Sequence, residues 1–254
     1  MFDRLFRPTP VLDHDSLAFM RAIQRWAQDS FGGDYFERQI RLVPPTNHYF
    51  PDRIGNVEEM AERLLRRMQG YLGIDHWPLR VAAQAVQPLR LPGGLGAPRI
   101  GTDAATVAAA APAVEVAVED AILLHYNRLQ ASDPQAMIAT HGQQLGACLL
   151  ALAPSPPPAS AQQLPLVAEL LVAYTGFGIQ LANSAFKFAG GCGGGGCSAA
   201  GRTAYLNQDE ALMALALFCA SKQIAPGQVT PHLNKHLRGV YKRALRQLQD
   251  ADRD

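Results

Sequence analysis

The stretch Asp133–Leu152, DPQAMIATHGQQLGACLLAL, constrains this chain more than any other. It opens on an aspartate whose carboxylate can accept the free amides of a first helical turn. A proline follows at the first helical position, where a missing N–H costs nothing. Met137, Ile138, His141, Leu145, Cys148, Leu149 and Leu152 then recur at helical spacing, so one face of the helix must be covered. A helix patterned in this way belongs at the centre of a core, and His141 lies in the middle of its apolar stripe.

The rest of the chain is long enough to build that core. At 254 residues, 48% of them hydrophobic, it fits one large domain or one domain with a small appendage. A net charge of +1 gives no general attraction to nucleic acid or an anionic membrane, and neither is expected as a partner. The first residues, MFDRLFRP, carry charges and lead into no apolar run, so no secretory signal is expected. Four cysteines make no disulfide scaffold, and a reducing cytoplasm is the simpler expectation. The run 164–186 approaches membrane-spanning length, but Glu169, late polar residues and two glycines favour a buried core helix.

Other elements follow from period and punctuation. Leu17, Met20, Ile23 and Trp26 predict a helix over 14–29. Asn56 with Glu59 three residues on predicts a capped helix start, with Val57, Met60, Leu64, Leu65 and Met68 buried and Gly70 at its end. A strand is expected over 77–86, then two short ones at 114–118 and 122–126. The loop APSPPPASAQQLP cannot be helical through its prolines. After it, a second apolar helix starts near Pro165 and runs towards Phe188. Asn207 predicts a third core helix over 209–220, and a last helix is expected over 231–248. That helix would put Leu233, Leu237, Val240, Ala244 and Leu248 inside, with Lys235, Arg238, Lys242, Arg243 and Arg246 largely opposite. Such a basic face is ordinarily solvated surface, and it lacks the exposed aromatics that nucleic acid would want.

Within the central helix, His141-Gly142-Gln143-Gln144-Leu145 occupies the frame of H-E-x-x-H. Three further blocks accompany it: NHYFPDRIGNVEEMAERLLRRMQGYLGID, AELLVAYTGFGIQLANSAFKF and GRTAYLNQDEALMALALF. In this order, over roughly residues 45 to 250, the chain resembles a group of uncharacterised bacterial proteins with a zincin-like metallopeptidase core. The resemblance implies an α+β, mainly helical, zincin-like single domain over 45–254, with a small sheet packed on the central helix. Residues 1–44 would form an N-terminal helical extension. It also implies a third metal ligand at the acidic start of the second apolar helix, which here is Glu169.

The chemistry of such a site needs two histidines one turn apart, a third ligand from another helix and a glutamate to take the proton of metal-bound water. His141 stands at the first ligand. Gly142 stands where the base would be and has nothing to accept a proton, and Leu145 stands at the second ligand and cannot donate to a metal. His141 and Glu169 alone are too few donors for zinc, so no metal, cofactor or catalytic residue is expected. Cys148 lies two turns from His141, at a rise of about 10 Å, too far to share an ion with it. A re-sited centre would have to recruit His125, Gln143, Gln144, His232 or His236. The plain reading of His141 is a core histidine with hydrogen-bonded nitrogens. Glu169 either faces solvent or, buried, needs a partner, and the frame proposes a His141–Glu169 hydrogen bond left over from a metal site. Cys192 and Cys197, four glycines apart, read as part of a flexible loop, with a disulfide or half a zinc knuckle as alternatives.

The resemblance, with its missing base and ligand, implies a degenerate, non-catalytic metallopeptidase-like protein, and analogy to that fold implies a groove for a protein or peptide partner. The alternatives are a metal-dependent hydrolase with zinc on re-sited ligands, or a purely structural or assembly subunit in which side chains such as Leu145 fill the old cleft.

Overall fold

A computed structural model describes residues 9–83, 90–101, 121–185 and 204–252. The elements are α1 (His14–Phe31), α2 (Gly33–Arg38), α3 (Val57–Leu72), β1 (Leu79–Ala82), β2 (Ile122–His125), α4 (Pro134–Leu152), α5 (Leu164–Val172), α6 (Gly178–Ala185), α7 (Gln208–Ser221) and α8 (Leu237–Ala251). The described protein is mainly helical, with one two-stranded sheet. β1 and β2 run parallel, with Leu79 opposite Ile122 and Ala82 opposite His125. The strand expected at 114–118 and the Cys192–Cys197 loop lie outside the described residues.

Helix starts follow the capping chemistry of the sequence. Asp133 accepts from the Ala136 amide and Asn56 from the Glu59 amide. Asn207 and Glu210 close a reciprocal capping box. Helix ends depart from expectation. α3 runs through Gly70 and stops at Gly73, which is left-handed at φ +62°. Its amide bonds the Gln69 and Gly70 carbonyls in a left-handed glycine cap, and a Cβ on Gly73 would come within 1.9 Å of the Arg99 carbonyl oxygen, so no other residue fits there. α8 starts six residues later than expected: the segment ahead of it is held by a local bond from Arg238 to the Pro231 carbonyl and by a tertiary bond from the Asn234 amide to Asn183 Oδ1.

α4 is the hub. It packs on α3, α5, α6 and β2, while α7 lies between α6 and α8. Met20, Ile23 and Trp26 of α1 and Phe36 of α2 belong to the same core cluster as α4 and α7. The apolar run Ala161–Ala185 is long and apolar enough to cross a membrane, yet 83% of its most apolar window is buried inside the protein. It is broken by a π-helical turn at Ala173–Phe177, where Gly176 takes φ +95°. The break points the Gly176 carbonyl at the Val43 amide (3.0 Å), and Gln180 Nε2 donates to the Val43 carbonyl (2.6 Å). An extended segment thus crosses the kink with both its polar backbone groups satisfied.

The α4–α5 crossing is unusually close. A Cβ on Gly146 would sit 2.2 Å from the Ala168 carbonyl oxygen. Alanine is the better helix former by about 1 kcal/mol, but the two backbones would have to separate, an overpacking cost of about 1–3 kcal/mol. Gly146→Ala is therefore expected to destabilise the protein. A urea unfolding midpoint equal to or above wild type would contradict this packing.

Candidate functional site

The working positions of the H-E-x-x-H frame, 141, 142 and 145, lie inside the protein, while Gln143 and Gln144 are half-buried. His141 is 0% exposed and Leu145 1%. Position 142 faces α5 and α3: a Cβ there would stand 2.9 Å from Val172 Cγ1 and 3.5 Å from Met68 Cε. A glutamate at this position would press on both side chains, and among the described residues His141 and Leu145 present no exposed surface to substrate or water. His141 is buried as expected, but its bonding is not as expected. Neither Nδ1 nor Nε2 has a hydrogen-bond partner. Burial pushes the imidazole down to about 4, opposed in part by the nearby Ala61 backbone. The ring is neutral at physiological pH.

Glu169 is also 0% exposed, and it is used. Its Oε2 accepts from the Tyr205 amide at 2.9 Å and the Leu206 amide at 2.6 Å. These two N–H groups lie just ahead of the cap of α7, so the carboxylate anchors the chain where it re-enters the core. The His141–Glu169 hydrogen bond is absent. The reason lies in the helix crossing: Gly142 and Gly146 touch Val172 and Ala168, while His141 turns towards Ala61 of α3 and Glu169 towards the start of α7.

The other candidates have structural duties. Gln144 accepts from the His125 amide (2.7 Å) and donates to the His125 carbonyl (2.8 Å), clamping the end of β2 onto α4 as a neighbouring strand would. His232 and His236 lie on the far approach to α8. The His232 carbonyl accepts from Asn183, and His236 Nε2 is 3.2 Å from Gln208 Nε2. Gln143 is half-buried. Cys148 is fully buried, and burial raises its thiol to about 12, which keeps it unreactive. Among the described residues no three His, Cys, Asp or Glu side chains converge as a metal site requires. Zinc, the cofactor carried by the resemblance, does not fit this donor set: one imidazole faces apolar surroundings and the one matching carboxylate holds backbone amides.

Sequence reasoning missed the Gln144 clamp and the Asn183 hub, which joins Gln135, His232 and Asn234. The available signal was an amide side chain inside an apolar helix, a group that must find partners when buried. A hollow of ≈ 20 Å³, room for about one water, lies between α1, α5 and α7, bounded by Met20, Ile23, Tyr174 and Phe218. None of His141, Gly142, Leu145 or Glu169 lines it.

Compared with known proteins, the chain matches no family model, no curated sequence and no solved structure.

Proposed function

We propose that this chain is a non-catalytic descendant of a metallopeptidase-like scaffold, and that it acts by binding a protein partner through its outer surface. One observation carries the reading. His141, the remaining residue of the motif's working trio, is fully buried with both ring nitrogens unpaired, beside a position 142 closed by Val172 and Met68. Catalysis at this helix would need a base, an open coordination position and a path for substrate. Each is opposed by a named side chain. The sealed interior also argues against a groove beside the helix, which moves any binding role to exposed faces.

The test is a metal and activity assay on the purified full chain. After incubation with zinc and exhaustive dialysis, the protein is expected to hold far less than one ion per chain, with the same amount in His141→Leu. It is also expected to cleave no member of a mixed peptide pool. About one zinc per chain, lost in His141→Leu, or peptide cleavage abolished in that variant, would overturn the reading.

A further inference from the structure

The outer side of α8 has a feature that the folded core does not use. Leu237, Tyr241, Ala244 and Leu248 face inward. Lys242, Arg243 and Arg246 are exposed, Lys235 is exposed just ahead of the helix, and Arg238 is half-exposed at its start. Arg238 bonds to the Leu233 and Pro231 carbonyls. Among the described residues, Lys235, Lys242, Arg243 and Arg246 make no ion pair. The acidic groups of this segment are Asp250 and Asp252 at the far end, and Asp252 is held by Arg21. Like charges on neighbouring turns repel each other, so this arrangement weakens the isolated helix, and beyond the two carbonyl bonds of Arg238 these cations make no ion pair among the described residues that would offset it.

We propose that this face docks an acidic α-helix of a partner protein. Arg238, Lys242 and Arg246 are four apart, a rise of about 6 Å per step. A partner helix with carboxylates at every fourth residue repeats at the same interval, so several pairs can form in register. The rest of the face argues for this occupant over other anions. No large apolar side chain is exposed among the cations to enter a bilayer, and Val240 and Leu245 pack against the core. Tyr241 is 0% exposed, which leaves no ring on which bases could stack. With a net charge of +1 over the whole chain, there is no overall excess of positive charge to hold a long polyanion that runs across other faces.

This inference rests on the partner-binding reading above and names the partner's chemistry. The probe is a fluorescein-labelled synthetic helix with glutamate at every fourth position, titrated with the full chain at low salt. Saturable binding is expected, weakened at least about tenfold in Lys242→Glu/Arg243→Glu/Arg246→Glu and weakened similarly as salt rises past physiological strength. A control with Arg53, Arg66 and Arg90, exposed elsewhere, changed to glutamate should bind nearly as wild type. No binding, equal loss in both variants, or tighter α8-dependent binding to phosphatidylglycerol vesicles or duplex DNA than to the peptide would each overturn the proposal. The two failures are distinguishable: zinc-dependent hydrolysis sinks the non-catalytic reading whatever the peptide does, and an inactive, metal-free chain that ignores the peptide sinks this one.

Discussion

His141→Leu is expected to unfold at higher urea concentration than wild type at pH 7.5, and to gain more at pH 4.5. The first effect comes from removing two buried nitrogens that make no hydrogen bond. Leaving such groups unsatisfied costs about 1–3 kcal/mol, while a leucine of similar volume costs less than about 1.5 kcal/mol in altered packing. The second effect follows from proton linkage. In the unfolded chain the ring titrates at its ordinary value of 6.5, and in the folded protein burial lowers it to about 4. Above 6.5 both states carry the neutral ring and the histidine adds no pH dependence. Between 6.5 and 4 the unfolded chain takes a proton that the folded one refuses, so stability falls with pH by about 1.4 kcal/mol per unit, reaching about 3 kcal/mol near pH 4. Carboxylates contribute equally to both proteins, and the difference between the two urea series isolates the imidazole. A variant no more stable than wild type at pH 7.5, or one with an unchanged acid slope, would mean that the ring has a partner worth keeping.

Glu169→Ala is expected to be the most damaging single change, at about 3–5 kcal/mol, because it strips acceptors from the Tyr205 and Leu206 amides and leaves Leu206 N–H buried without one. At that magnitude most of an ordinary domain's stability is gone, so Glu169→Gln is the more informative variant. Its amide oxygen can still accept both bonds but without the charge, and a loss of about 1–3 kcal/mol is expected. Urea unfolding of Gln, and soluble yield of Ala, measure the two. Wild-type stability in both would show that the α7 entry is held by something else.

How much of this was legible depends on whether a feature is local. Asp133–Pro134, Asn56 and Asn207 announce helices within one turn, and all three helices begin there. The apolar stripe of α4 located the core, and His141 within it. What the stripe could not encode is the neighbour. Whether a buried imidazole finds an acceptor, or a buried carboxylate meets a histidine or a pair of amides, depends on which helix crosses at which residue. That crossing is set by Gly142 and Gly146 against Val172 and Ala168, four small or branched residues with no signature of their own. The end of α3 was misplaced between two glycines, Gly70 and Gly73, of which the second takes the left-handed cap, and ahead of α8 the Asn234 amide is held by Asn183, distant in sequence. The motif frame was visible from sequence, and its loss of chemistry was visible too. Its sealing by Val172 and Met68 was not.

The hydrogen bond between Gln180 and Val43 joins residues 137 positions apart, which has a consequence for the order of assembly. On a ribosome adding roughly 5–20 residues per second, the stretch around Val43 emerges on the order of ten seconds before the kinked turn that receives it. Loop-closure entropy of that length must be met before the contact gives anything back. Tyr35 and Gln39 can meet their partners at Gly70–Leu72 early, whereas the backbone of Val43 must wait for the later-made half to supply its own.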